Sequence, residues 1–283
     1  MQTIPISFPN LGVFLNPPTT VSLFGLTVHW YGVIIAVGFL LAVFYADRRA
    51  KQFGLTEDNI LSMLLISVPL AIVCARAYYC AFSWEDFRDN PISCLYIWEG
   101  GIAIYGAVIG AVLGVWLYCH FSKVRFAAML DIGALGLLIG QSIGRWGNFM
   151  NREVYGVETE SFLKMGLGEG DSVKYYHPLF LYESLWNALG FVLLHFYSKR
   201  RKFDGEVFLL YIVWYGLGRG VLEGMRMTKY NLMIPGTSIP FSQVLGFASA
   251  AVAAAVWAVL RFSPKHRGKK LWVQEKAERE AKS

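Results

Sequence analysis

The stretch from residue 130 to residue 156, "LDIGALGLLIGQSIGRWGNFMNREVYG", joins an apolar run to a polar ending. About 20 apolar residues suffice for a helix to cross the hydrocarbon core of a bilayer. Arg145, Asn148, Arg152 and Glu153 lie at or just beyond the end of this run. Polar side chains at membrane depth are costly and usually face a cavity or a partner. The stretch therefore predicts a membrane helix that leads into a functional polar segment.

The composition of the whole chain agrees with a membrane protein. Of its 283 residues, 55% are hydrophobic and only 16% are charged, whereas a soluble domain is about 25% charged. The net charge of +6 comes from basic residues beside apolar segments, which argues against nucleic-acid binding. The four cysteines match no zinc or redox spacing, so we predict neither a metal site nor a disulfide framework.

Seven segments are long and apolar enough to be transmembrane helices. A helix satisfies its own backbone hydrogen bonds in lipid, so we predict an all-α polytopic membrane protein. It forms a single integral membrane domain over residues 1–283, with a basic tail at 263–283. The predicted spans are residues 28–46, 60–82, 102–121, 130–149, 178–197, 206–224 and 241–262.

The distribution of Lys and Arg predicts the orientation. With the N-terminus outside, 17 of the 26 basic residues fall in inner segments and six fall in outer segments. The positive-inside rule then places the N-terminus outside and the C-terminus in the cytoplasm. Loop 150–177 is longer than a connector needs to be, and we predict that it forms a small head on the outer face.

The sixth span, "YGLGRGVLEGMR" at residues 215–226, places Tyr215, Arg219, Glu223 and Arg226 on one helical face. Such a face indicates a polar site. The structural alternative is an Arg219–Glu223 ion pair along the helix, of the kind that i, i+4 spacing allows.

Other polar residues are predicted near the same outer half of the bilayer. Gln141, Arg145 and Asn148 share a face of the fourth span, and "HPLFLYE" at residues 177–183 opens the fifth span. The planar fork of arginine suits phosphate groups. Together these helices predict a pocket for an anionic phospholipid head group, although spacing alone indicates no reaction.

The motifs resemble those of one family, the bacterial prolipoprotein diacylglyceryl transferases. "GRWGNFMNREVYG" at 144–156 is similar to the family signature. The other family motifs follow in the family's order, and "FSQVLG" at 241–246 resembles the entry to its last helix. They are "HWYG" at 29–32, "WEGGIAIYG" at 98–106, "HPLFLYE" at 177–183 and "YGLGRGVLEGMR" at 215–226.

The resemblance implies a multi-pass enzyme of the bacterial inner membrane, with its active site toward the outer leaflet. The enzyme would move a diacylglyceryl group from phosphatidylglycerol to the lipobox cysteine of a preprolipoprotein signal peptide. The products would be a thioether-linked lipid and glycerol 1-phosphate, in the first step of lipoprotein maturation. The resemblance implies no metal and no organic cofactor.

The resemblance and the polar residues of the spans together give the predicted site residues. The family motifs carry Arg145, Asn148, Glu153, Gly156, Tyr31, Tyr215, Arg219 and Glu223, whereas Tyr105, His177 and Glu183 are predicted from their positions in this sequence. Catalytic roles fall to Arg145, Arg219, Tyr105, Glu153 and Glu223. Binding of phosphatidylglycerol falls to Arg145, Asn148, Tyr31, Tyr215, Arg219, Gly156, His177 and Glu183. Within this set, Arg145 and Arg219 would stabilise the departing phosphate, and Glu153 and Glu223 would hold the arginine forks or accept the thiol proton.

The chain departs from the family pattern at Tyr105. Well-studied members carry at this position a histidine that is proposed as the general base, and a tyrosine hydroxyl is ordinarily a poor base at neutral pH. The base therefore stays open between Tyr105, His177, a glutamate and water.

Three other classes of protein fit part of the pattern. Polar residues within spans also occur in transporters and channels, although such proteins often contain repeats and this chain shows none. A haem or quinone redox protein would use His29 and His177, which lack a pairing pattern. A structural scaffold would leave the arginines within the spans unexplained.

Overall fold

The protein is described by a computed structural model over residues 4–23, 25–227, 233–263 and 270–281. Six of its helical segments are long and apolar enough to cross a membrane, so the chain is a multi-pass membrane protein and the predicted helical membrane fold is confirmed. These segments are Trp30–Phe53, Glu57–Phe82, Ile104–Phe121, Phe126–Asn151, Leu179–Ser198 and Phe241–Phe262.

The described residues contain nine α-helices. They are α1 (Trp30–Arg49), α2 (Glu57–Phe82), α3 (Trp84–Phe87), α4 (Ile104–Phe121), α5 (Phe126–Asn151), α6 (Leu179–Ser198), α7 (Glu206–Glu223), α8 (Phe241–Phe262) and α9 (Trp272–Glu280).

Each of the seven predicted spans corresponds to one long helix, with two differences. The first span was predicted from residue 28, but residues 28 and 29 belong to a strand because they pair with Val21 and Thr20. The predicted span at 206–224 is α7, which is less apolar than the six membrane-length helices because it contains Glu206, Arg219 and Glu223. The seventh crossing therefore stays a prediction.

Within the described part of the chain, six short strands form two antiparallel sheets. The strands are β1 (Ile6–Phe8), β2 (Val13–Leu15), β3 (Thr20–Leu23), β4 (Leu26–His29), β5 (Met165–Leu167) and β6 (Lys174–Tyr176). One sheet has the order β2-β1-β5-β6, and β3 pairs with β4 in the other.

The predicted head at residues 150–177 contributes only half of the four-stranded sheet. The N-terminal strands supply the rest, with Ile6 opposite Leu167 in the register. A small core joins the sheet to α5 and α6, because Ile6 and Met165 pack with Phe149 and Phe180. The N-terminal segment is therefore part of the head, a pairing that the sequence pattern did not reveal.

Arg152 ties the N-terminal segment to the end of α5. Its guanidinium donates to the carbonyl oxygens of Ile4 at 3.0 Å, Met150 at 2.5 Å and Pro17 at 2.5 Å. Partial burial lowers the pKa of Arg152, although an arginine stays protonated throughout the physiological range. This signature residue therefore supports the head.

The described residues fall into two compact units. One unit comprises residues 1–45 and 133–269, and the other comprises 46–132 and 270–283. Two of the boundaries lie within α1 and α5, and the third lies between residues 269 and 270. The predicted pocket residues belong to the first unit, except for Tyr105, which belongs to the second.

In the second unit, α2 and α4 pack closely along a stripe of glycines. Methyl groups added at Gly106, Gly110 and Gly114 would all collide with α2. At Gly110, the added carbon would lie 2.5 Å from the carbonyl oxygen of Leu70. The glycine stripe of α4 is therefore a packing surface, as such stripes of small residues commonly are in membranes.

Part of the predicted basic tail is folded. Residues 264–269 lie outside the described residues, but α9 packs in the second unit, where Arg125 and Glu275 form an ion pair at 2.8 Å. The ring of Trp272 contacts two guanidinium groups, those of Arg125 and Arg279, each 5.5 Å from the ring centroid.

We predict that Gly110→Ala lowers the free energy of unfolding by about 1–3 kcal/mol, the usual cost of overpacking. Gly133→Ala is the matched control, because a methyl group there would meet nothing within 4 Å. Thermal unfolding of the purified protein in detergent measures both. Equal melting temperatures for the two variants would contradict the close α2–α4 packing.

Candidate active site

Charged side chains of α5, α6 and α7 form a continuous ion-pair network, with arginines and glutamates in alternation. Arg145 pairs closely with Glu183, whose other oxygen lies 3.7 Å from Arg219. Arg219 also pairs with Glu223 at 2.5 Å, and Glu223 pairs with Arg226 at 3.4 Å. These five residues are called the arginine–glutamate network below.

The network is buried unequally. The side chains of Glu183 and Glu223 are 6% and 1% exposed, whereas those of Arg145 and Arg219 are 21% and 19% exposed. Three guanidinium groups and two carboxylates leave a net charge of about one positive unit at neutral pH. Such an arrangement keeps the carboxylates inside and presents guanidinium groups to an approaching anion.

The local sequence explains how α7 contributes to the network. Arg219 and Glu223 are four residues apart, which places them on adjacent turns of one face, and the predicted ion pair between them is present. Arg226 lies just beyond the end of α7, where it is partly buried. Burial lowers the pKa of Arg226, while Glu223 opposes this shift.

At the end of α5, an amide extends the network to Glu153. Arg145 donates to Oδ1 of Asn148 at 3.4 Å, and Nδ2 of Asn148 donates to Oε1 of Glu153 at 2.9 Å. Arg152 and Val154 have positive φ angles of 53° and 57°, so the chain turns sharply around Glu153. Glu153 was expected to hold an arginine fork directly. Its carboxylate instead contacts the amide of Asn148.

Gly156 joins the segment after α5 to the entrance of α6 and the end of α7. Its N–H donates to the carbonyl oxygen of His177 at 2.9 Å, and Val157 N–H donates to that of Met225 at 2.8 Å. A methyl group at Gly156 would lie 2.7 Å from Cβ of His177. The site signature thus needs glycine here because three segments approach each other closely.

His177 lies at the entrance to α6, beside Tyr182. Its Nδ1 is 3.4 Å from the hydroxyl of Tyr182. Burial lowers the pKa of His177 below its usual value, so the imidazole is neutral at neutral pH. A neutral imidazole keeps the capacity to accept a proton.

Tyr31 and Tyr215 both belong to the first unit. The ring of Tyr31 packs on α5 at Gly147, where a methyl group would lie 2.7 Å from the ring. Tyr215 stacks on Tyr211 with ring centroids 5.8 Å apart.

Tyr105 lies near the start of α4 in the second unit. Its ring faces Tyr78, with centroids 6.3 Å apart, and the residue is 41% exposed. Its hydroxyl is thus placed near one end of a membrane-length helix.

Sequence reasoning placed Arg226 on the face of Arg219 and Glu223 but gave it no role in the site, and it missed Asn187 altogether. Asn187 is 2% exposed and lies one turn after Glu183, so a buried amide within an apolar helix was its signal. Among the described residues, no group of three or more His, Cys, Asp or Glu side chains is arranged to hold a metal ion.

Reciprocal hydrogen bonds join α6 to α7 beside the network. Trp186 Nε1 donates to the carbonyl oxygen of Trp214, and Trp214 Nε1 donates to that of Trp186, both at 3.0 Å. The two indoles stack with centroids 4.2 Å apart, and glycines at positions 190 and 218 leave room for them. This pairing fixes the helices that carry Glu183 and Arg219.

Comparison with known proteins adds an independent finding. Residues 18–259 match the family model described as prolipoprotein diacylglyceryl transferase. Among curated relatives, phosphatidylglycerol–prolipoprotein diacylglyceryl transferase of Shouchella clausii is 42% identical over 245 residues, which cover 83% of this chain and 87% of the relative. The transferase of Bacillus licheniformis is 39% identical over 253 residues, covering 87% and 93% respectively.

We expect Glu183→Gln to lower the free energy of unfolding by about 3–5 kcal/mol, the usual cost of breaking a buried ion pair. The reason is that Arg145 and Arg219 would lose the carboxylate that they share. Glu158→Gln serves as the control, since Glu158 pairs with Lys174 on the surface and such pairs contribute about 0–1 kcal/mol. Thermal unfolding in detergent compares them, and a Glu183 variant no less stable than the control would argue against this role.

Proposed function

Because the chain belongs to the prolipoprotein diacylglyceryl transferase family, we propose that its arginine–glutamate network binds the lipid donor of that reaction. The enzyme transfers a diacylglyceryl group from phosphatidylglycerol to a prolipoprotein, the first step of lipoprotein maturation. This membership sets aside the transporter, redox and scaffold alternatives.

The charge and burial of the network carry the proposal. Arginine has five N–H donors in a rigid fork that matches phosphate. Glu183 lies 3.7 Å from Nη1 of Arg219, and Glu223 lies 2.5 Å from Nη2. Each terminal nitrogen carries two N–H groups, and the side chain is 19% exposed, so N–H groups stay available to a ligand. A phosphate held between Arg145 and Arg219 would form charge-assisted hydrogen bonds in a poorly hydrated site.

The reaction follows from this placement of the phosphate. The thiolate of the prolipoprotein cysteine attacks the glycerol carbon that bears the phosphate ester. A carbon–sulfur bond forms while the carbon–oxygen bond breaks, and the electron pair leaves with the phosphate as glycerol 1-phosphate. Arg145 and Arg219 stabilise the negative charge that grows on this leaving group.

The remaining site residues position the reactants. Asn148, Tyr31 and Tyr215 orient the head group through polar hydrogens, while Glu153 fixes Asn148 through the hydrogen bond at 2.9 Å. The other residues that we place in the binding site are Gly156, His177 and Glu183.

The thiol proton must pass to a base, for which Tyr105, His177, a glutamate and water remain candidates. The imidazole of His177 lies beside the hydroxyl of Tyr182, and its lowered pKa keeps it neutral at neutral pH. Tyr105 occupies the position of the family's usual histidine, and we retain it as a catalytic residue.

The membrane arrangement is part of the proposal. Seven crossings with the N-terminus outside would place the network and the head at the outer leaflet of the inner membrane. There the lipobox cysteine of a translocated preprolipoprotein would meet phosphatidylglycerol from the bilayer. The excess of Lys and Arg in the inner segments supports this orientation.

We predict that Arg145→Gln and Arg219→Gln each lower kcat by about 10²–10³, the usual effect of removing one donor that stabilises developing negative charge. Arg88→Gln is the control, because Arg88 is exposed and pairs with Glu85 on the surface. Mass spectrometry of a lipobox peptide incubated with phosphatidylglycerol measures the transfer. Melting temperatures are measured in parallel to separate lost chemistry from lost folding. A wild-type rate in either variant would remove the phosphate role.

We also predict that Tyr105→Phe lowers kcat by about 10² or more at neutral pH, as expected when a general base is removed. The difference in kcat between the variant and the wild type should become smaller near pH 9, because a free thiol ionises there without a base. Tyr78→Phe, which alters the neighbouring ring, is the matched control. Full activity of the Tyr105 variant would exclude a phenolic proton acceptor and leave the step to the other candidates.

A further inference from the structure

A small cavity between α6 and α7 opens beside the arginine–glutamate network. Its lining includes Glu183, Trp186, Asn187, Tyr215 and Arg219. About 10 Å³ of the cavity is open to water, which is room for about one water-sized group. The cavity can therefore take a single hydroxyl group but no bulky substituent.

Asn187 presents an unused hydrogen-bond acceptor at this cavity. The residue is 2% exposed, and its Oδ1 atom accepts no hydrogen bond from the described residues. Buried polar atoms almost always have a partner in folded proteins, so an unpaired one indicates a water or a ligand. The partner must be a hydrogen-bond donor, because a carbonyl oxygen can only accept.

Two neighbouring groups in the lining are already engaged, and a third has only donors. Each carboxylate oxygen of Glu183 faces an arginine, and the indole N–H of Trp186 donates to a backbone carbonyl. Arg219 has donors only. A ligand that satisfies both Arg219 and Asn187 would thus carry an anionic group and a hydroxyl close together.

We infer that Asn187 accepts a hydrogen bond from a hydroxyl of the head-group glycerol and thereby selects phosphate esters with a free hydroxyl. This inference rests on the proposed binding of the lipid phosphate at Arg145 and Arg219. Phosphatidylglycerol and glycerol 1-phosphate both have the required chemistry. Phosphatidic acid has the phosphate but lacks the head-group glycerol and its hydroxyls. Its binding should therefore not depend on Asn187.

The decisive experiment compares binding of three ligands to the purified protein in detergent micelles. The ligands are short-chain phosphatidylglycerol, short-chain phosphatidic acid and glycerol 1-phosphate. In Asn187→Leu, which removes the acceptor at similar side-chain size, the dissociation constants of the two hydroxyl-bearing ligands should rise about tenfold, as expected for one lost hydrogen bond. The constant for phosphatidic acid should stay unchanged.

Gln141→Leu is the matched control. Gln141 also has a buried amide oxygen without a hydrogen bond from the described residues, but its amide donates to Tyr211. We expect Gln141→Leu to leave the ratio of the two dissociation constants, for phosphatidylglycerol and for phosphatidic acid, at the wild-type value. If Asn187→Leu fails to fold, Asn187→Ala replaces it, because alanine adds no bulk. The same changes in the dissociation constants are expected.

The other outcomes separate the two proposals. An unchanged affinity ratio in a folded Asn187 variant overturns the selectivity role alone. Weakening of glycerol 1-phosphate without weakening of phosphatidylglycerol also overturns it, because Asn187 would then contact the product and not the lipid. Undiminished binding of all three ligands to Arg219→Gln would instead refute the phosphate site on which the inference depends.

Discussion

The site depends on one carboxylate that two arginines share. Glu183 on α6 pairs closely with Arg145 of α5 and lies 3.7 Å from Arg219 of α7. Without it, two guanidinium groups would repel each other in a medium that screens charge poorly. With it, their forks are fixed at partial exposure, and the network keeps a net positive charge. This combination of order and residual charge suits the proposed role of the network, which is to bind a phosphate and release it as a leaving group.

Close helix packing positions these charges. The stacked indoles of Trp186 and Trp214 bond each helix to the backbone of the other, and they do so one turn away from the charged residues. Gly156 allows the segment after α5 to reach both α6 and the end of α7. The glycines of this chain therefore have a functional consequence, because they bring the polar groups of three helices within contact distance.

Much of this structure could be predicted from the sequence, and the exceptions have physical reasons. Apolar run length placed all seven long helices, and i, i+4 spacing revealed the pairing of Arg219 with Glu223. Strands β1 and β2 escaped prediction because each has only three residues and because β1 pairs with β5, which lies more than 150 residues away. Periodicity also could not show that Glu183 bridges two helices or that Glu153 contacts Asn148. Both contacts depend on how the elements pack.

The proposed mechanism requires Arg145 and Arg219 to bind the phosphate of phosphatidylglycerol. Solid-state NMR can measure dipolar coupling between ¹⁵N in arginine side chains and the ³¹P of this lipid in bilayers containing the enzyme. We predict a coupling strong enough to place guanidinium nitrogens in hydrogen-bond contact with the phosphate oxygens, at N···O distances of about 2.7–2.9 Å. This coupling should disappear in the protein with both arginines replaced by glutamine. Absence of coupling in the wild-type enzyme, or its persistence in that double variant, would contradict the account.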